Sequence, residues 1–236
     1  MSLELSGPEA SRRYIEAAKP EHPSLLDPTY QMASLFGVVN IPNVIWIDES
    51  GTIVRPAEPG WPAERAPIPK ALFTALPPTG RPSTAPRRST PPPDQMTLLS
   101  SGQDRNGYAE AIRDWAANGP ASSYVLSPAE VIERSQPRPL SKSEGAAHFE
   151  LANHLWRAGV RESAIAHFRE SHRLQPDNWT YKRQAWSLVG NERVGGEFGR
   201  FTQVPLPGEE ADWPFASDFD RDVAALEPGQ YYPKTM

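Results

Sequence analysis

The sequence predicts a mixed chain: an α/β segment over residues 1–55 and an all-α region over about residues 107–190, joined by a proline-rich linker. Three observations predict it. A short apolar run, Val44-Ile45-Trp46-Ile47, is followed by an acidic turn with glycine and a second apolar run, which is the pattern of a β-hairpin. Twelve prolines fall in the 38 positions from Pro56 to Pro93, so that stretch lacks the donors of a regular backbone ladder. Beyond Tyr108, apolar residues recur at helical spacing in several separate runs.

The elements follow in order. Residues 2–5 alternate like a short strand. Pro8 sits where a first helical residue is favoured, and a helix runs through Glu9, Tyr14, Ile15 and Ala18 until Pro20 stops it. A second helix starts at Asp27-Pro28, with Asp27 as cap, Met32, Leu35 and Phe36 as the apolar side, and Gly37 as its end. Residues 44–47 and 52–54 are the strands of the hairpin, turning at Asp48-Glu49-Ser50-Gly51. Residues 56–106 form the linker. Its low-complexity stretch RPSTAPRRSTPPPD is expected to be extended or disordered, and residues 77–105 mobile and without chemistry. RPSTAP fits the P-x-x-P pattern of an SH3-type ligand only loosely, and a plain linker is the better reading.

The helical region, 107–190, opens with Tyr108, Ala111, Ile112 and Trp115 on one face, ended by Asn118-Gly119-Pro120. Ser127-Pro128-Ala129-Glu130 combines an N-cap, an early proline and an acidic first turn, and opens a short helix through Val131 and Ile132. Phe149, Leu151, Ala152 and Leu155 give the next apolar face before Gly159. Ala164, Ile165, Phe168 and Leu174 give another before Pro176, and Trp179, Ala185, Trp186 and Leu188 suggest a third helix. The tail, 191–236, reads as irregular and extended, anchored by Trp213, Phe215, Phe219, Tyr231 and Tyr232.

Composition narrows the function. Of 236 residues, 27 are proline and 16 glycine, too few for a wholly disordered chain but too many for one ordinary compact domain. The net charge is −5 and no basic stripe exists, only Arg87-Arg88 in the linker, so nucleic acid is not an expected partner. No apolar run reaches the roughly 18 residues of a membrane helix, and the start lacks the apolar core of a secretory leader, so the expected compartment is the cytoplasm. There is no cysteine, hence no disulfide, thiolate metal site or cysteine nucleophile in this chain.

The segment GVVNIPNVIWIDESGTIVR carries the first resemblance. Ile41-Pro42, the strand 44–47, the turn 48–51 and the strand beginning at Thr52 resemble the second half of a thioredoxin fold, most closely its ResA/TlpA branch. The resemblance covers about residues 2–55. It implies a cis Ile41-Pro42 bond, with Ile41 presenting its backbone to an extended substrate peptide and Pro42 shaping the loop. It also implies a C-x-x-C-type motif opposite that loop, which this chain does not contain. In the family's order, the strand and helix carrying that motif precede residues 2–5, and the missing strand lies between residues 2–5 and 44–47. Its lack would leave two interior sheet edges unpaired.

Residues 145–178 resemble one tetratricopeptide repeat. Leu151, Ala152, Leu155, Gly159, Ala164, Phe168 and Pro176 sit where that 34-residue pattern wants them, while His148 replaces its usual tryptophan and Ser171 its usual alanine. The plain alternative is a helical hairpin. One repeat cannot bury its own face, so this one is expected to pack on the rest of the chain or on a second subunit. Together with RQAW at residues 183–186, these features resemble ResA-like proteins whose redox motif reads W-A-x-x-U-G-C, where U is selenocysteine. That resemblance implies selenol-dependent thiol or peroxide chemistry with a protein thiol or disulfide partner. It further implies a longer product whose nucleophile lies upstream of Met1.

No other chemistry stands out. His148, His154, His167 and His172 are spaced 6, 13 and 5 apart, so none stack on one helical face and no metal site is expected. Glu9, Glu16, Glu150 and Glu162 read as solvated helix faces, and there is no phosphate loop, catalytic triad or cofactor motif. Two functions remain: a thioredoxin-like redox family protein without its nucleophile, inactive alone, or a non-enzymatic tetratricopeptide-like interaction module. In this sequence Ile41 and Pro42 are the only site residues either reading names.

Overall fold

The computed structural model describes residues 2–3, 8–60, 105–135, 138–194 and 203–232. The expectations for residues 61–104, most of the linker, lie outside the described residues. The fold is mixed α/β, and it divides into two compact units that interleave along the chain: residues 1–41 with 136–182, and residues 42–135 with 183–236. The sequence segments 1–55 and 107–190 therefore do not correspond to the units. Burial, which is non-local, groups each helix with whatever covers its apolar face.

In the first unit, β1 (Ser2–Leu3) pairs in parallel with β2 (Leu26–Asp27), and α1 (Pro8–Ala18) forms the crossover between them. α1 starts at Pro8 as expected. Its Arg12 pairs with Glu9 and Glu16 on an exposed face, contributing little. α2 (Gln31–Phe36) begins three residues later than the sequence predicts. Asp27 still caps it, but from the end of β2: Oδ1 accepts from the Gln31 N–H and Oδ2 from the Ala33 N–H, each at 3.0 Å. Residues 28–30 form the intervening turn, with Tyr30 at φ 60°. This register buries Ala33 and leaves Met32 and Leu35 exposed, against the expected apolar side. Gly37, at φ 74°, ends the helix as predicted.

α5 (Leu140–Arg157) and α6 (Arg161–Leu174) form a helical hairpin turned at Gly159, which adopts φ 80°. In the second unit α3 (Arg105–Asn118) and α4 (Pro128–Arg134) precede them in the chain. Ala152, Ala164 and Phe168 are fully buried between the paired helices. Leu151 points outward instead. α5 buries Phe149, Ala152, Asn153 and Trp156, which share one stripe that Leu151 misses. The inner face is covered by the chain itself: Phe149 stacks on Tyr181 at 4.0 Å between centroids and meets Tyr30 edge-on at 5.2 Å. Tyr181 belongs to the first turn of α7 (Trp179–Val194), whose residues from Arg183 onward group with the second unit. The Arg138 guanidinium donates to the carbonyls of Ser34 and Leu35 at the C-terminal end of α2, where a cation is favoured.

In the second unit, β3 (Asn43–Ile47) and β4 (Ile53–Pro59) are antiparallel, with Trp46 opposite Arg55 and Ile47 opposite Ile53. Asp48 builds the turn: its Oδ1 accepts from the N–H groups of Ser50 and Thr52, both at 2.9 Å, and Gly51 takes φ 84°. β4 extends five residues beyond the predicted strand, into the segment assigned to the linker. Pro56 and Pro59 are tolerated because the sheet has two strands, so β4 has an edge that needs no donors. α3 packs on the hairpin with Tyr108, Ala111, Ile112 and Trp115, the face the sequence predicts. α4 carries the predicted N-cap at Ser127, which forms a capping box with Glu130. The tail is less extended than expected. It contains a 3₁₀ turn at Glu210–Asp212 and α8 (Phe219–Ala224), capped by Asp218, and its five aromatic anchors are all buried. β1 and β3 lie in separate two-stranded sheets.

Candidate functional site

The loop between α2 and β3 holds the two residues singled out by sequence. Gly37 releases the chain from α2, and Val38 and Asn40 are buried, which pins the loop by its first half. Ile41 is 45% exposed and Pro42 is also exposed, so the second half projects outward. The Ile41 N–H is occupied: it donates to Oδ1 of the preceding Asn40 at 2.9 Å. Ile41 ends the first compact unit and Pro42 opens the second. Beyond Pro42, the Oδ1 of Asn43 is buried without a hydrogen-bond partner, an acceptor at the start of β3 that the strand pairing does not use.

The second unit contains a polar constellation that the sequence did not reveal. Arg55 and Glu58 are both about 95% buried and meet in a bidentate pair: Nε donates to Oε1 at 2.7 Å and Nη2 to Oε2 at 2.9 Å. Arg55 Nη1 donates to the Tyr124 carbonyl at 2.7 Å, and the guanidinium lies over the Trp46 ring at 5.5 Å. The Trp46 indole N–H donates to the Tyr108 hydroxyl at 2.8 Å, and Trp46 stacks on Trp115 at 4.7 Å. Burial pushes the Tyr108 phenol up to about 12, only partly opposed by the bond from Trp46. The irregular register of β4 is what places two charged residues three apart on the buried side. Both carboxylate oxygens are engaged and the phenol is held neutral, so these groups lock the hairpin to the segment at Tyr124 rather than move protons.

Among the four histidines, the structure brings two together. His148 on α5 and His167 on α6 meet with Nδ1 atoms 2.7 Å apart, a contact across helices that spacing along one helix cannot show. His154 is exposed. Among the described residues no group of three or more histidine, aspartate or glutamate side chains is placed to hold a metal ion. Glu9, Glu16, Glu150 and Glu162 are exposed, as read from the sequence. No helix among the described residues is long and apolar enough to cross a membrane.

Comparison of the chain with protein-family models, with curated proteins and with solved structures returned no match.

Proposed function

We propose that this chain is a thioredoxin-like redox family protein that contacts an extended peptide through the loop at Ile41 and Pro42 and contributes no nucleophile of its own. The observation that carries the reading is the order of elements: a parallel β1–α1–β2 crossover, then α2, then a proline loop leading into an acidic-turn hairpin. The loop suits a peptide. Its outer residues are exposed, and the Ile41 amide is held by a neighbouring side chain rather than by a strand. A side-chain partner can be exchanged for a peptide carbonyl by one rotamer change, as in β-strand addition. Thiol, selenol or peroxide chemistry would require a chalcogen nucleophile, which this chain of zero cysteines does not supply.

The α5–α6 hairpin favours a second reading, a non-enzymatic tetratricopeptide-like interaction module. Small Ala152 and Ala164 bring the helices close, and Leu140 and Leu151 on α5 and Val160 in the turn remain exposed. A titration of the isotopically labelled chain with an unfolded, cysteine-free peptide, followed by amide NMR, separates the two. Shifts confined to residues 38–43 support the first reading. Shifts confined to α5 and α6 support the second and overturn the first.

A further inference from the structure

We propose that His148 and His167 form an acid-sensitive latch between α5 and α6, closed by one proton shared between the rings and opened when both rings are protonated. The geometry leaves little choice. Two ring nitrogens 2.7 Å apart are tolerated only as N–H···N, so one Nδ1 carries hydrogen and the other presents its lone pair. The rings are 4.9 Å apart between centroids and tilted by 37°. Both side chains are half-buried, at the seam where Phe149 and Phe168 close the hairpin.

Protonation has two stages with opposite effects. A first proton, added at the far nitrogen of the donor ring, makes the shared bond charge-assisted and stronger. A second puts hydrogen on both Nδ1 atoms, which removes the bond and sets two like charges at closest approach. Glu170 and the charged groups linked to it lie beside the pair. Glu170, on α6, interacts electrostatically with His148. Arg173 binds that carboxylate through both oxygens, at 2.9 and 2.5 Å, and so limits how far it can offset a second positive charge. Glu144, one turn before His148 on α5, interacts electrostatically with Arg173. Only the open hairpin, with both rings separated, takes the second proton readily, so acidification through that second step favours opening.

The test compares the full chain with His148→Gln, His167→Gln and the double variant. Hydrogen exchange of α5 and α6 amides is measured at about pH 7.5 and about pH 5 and corrected for intrinsic exchange. In the wild type, protection is expected to fall by about tenfold across that range, the equivalent of one ordinary hydrogen bond. Each variant should lose most of that fall, and the coupling between the two sites should be present at the higher pH and absent at the lower. An equal fall in all four proteins overturns the latch. Should the variants fail to fold, ring-nitrogen NMR of the wild type decides. One Nδ1 protonated and one bare at the higher pH supports the latch, and two bare or two independently protonating rings overturns it.

Discussion

Replacing Glu58 by glutamine tests the interaction on which the second unit most depends. The change is nearly isosteric, but it leaves the Arg55 guanidinium in a site where both partners are about 95% buried, with its charge uncompensated. Breaking a buried pair from one side costs about 3–5 kcal/mol, whereas the intact pair is worth much less against an apolar substitute, because desolvation offsets most of the attraction. Arg55 retains its bond to the Tyr124 carbonyl and its contact with Trp46, so the lower half of that range is expected. Against a total stability of about 5–15 kcal/mol, that is a large fraction. Urea unfolding followed by tryptophan fluorescence reads it directly, since Trp46 and Trp115 stack beside the pair. The companion protein, Arg55→Met with Glu58→Leu, removes both charges and should lose less than Glu58→Gln alone. A loss below about 1 kcal/mol for Glu58→Gln, or a double variant worse than the single, would refute the reasoning.

Four further outcomes follow from the packing of the two units. Tyr108→Phe removes the acceptor of the buried Trp46 N–H and should cost about 1–3 kcal/mol by thermal unfolding. Because the Tyr108 phenol is raised to about 12 from an ordinary 10, the unfolded chain releases that proton first, and the contribution of this site to stability should fade as pH rises from 10 towards 12; alkaline unfolding of wild type and Tyr108→Phe checks the sign. Asp27→Ala removes the cap that serves two N–H groups of α2 and should cost about 1–2 kcal/mol, with amide exchange at Gln31 and Ala33 rising first. Gly145→Ala would place a Cβ 2.8 Å from the Gln175 side chain, which also donates to the Lys142 carbonyl at 2.6 Å; about 1–3 kcal/mol of hairpin stability should be lost in a urea titration.

What was legible in the sequence was local. The turn at Asp48 and Gly51, the face of α3, the Ser127 N-cap and the Gly159 turn are each specified by residues a few positions apart, and each forms where read. What was not legible depends on partners distant in the chain. β4 runs through Pro56 and Pro59 because Trp46 and α3 hold the hairpin, although proline density argued for a linker from Pro56 onward. Arg55 and Glu58 gave no signal, since a charged pair three apart ordinarily marks a solvated surface and only the irregular register turns it inward. The start of α2 was misplaced because Asp27 caps it across a turn at Tyr30, which takes a left-handed conformation in contact with Phe149. The His148–His167 contact joins two helices, and no spacing along one of them encodes it.

The central claim, that the loop at Ile41 and Pro42 is where an extended peptide docks, is tested most directly by Asn40→Ala. The substitution removes the side-chain oxygen that now accepts the Ile41 N–H bond. Isothermal titration of an unfolded, cysteine-free peptide into wild type and variant, with folding of both checked by circular dichroism, reads the effect. The account predicts binding tighter by several-fold to about tenfold in the variant, because the peptide carbonyl no longer competes with Asn40. Unchanged or weaker binding by a folded variant would contradict it.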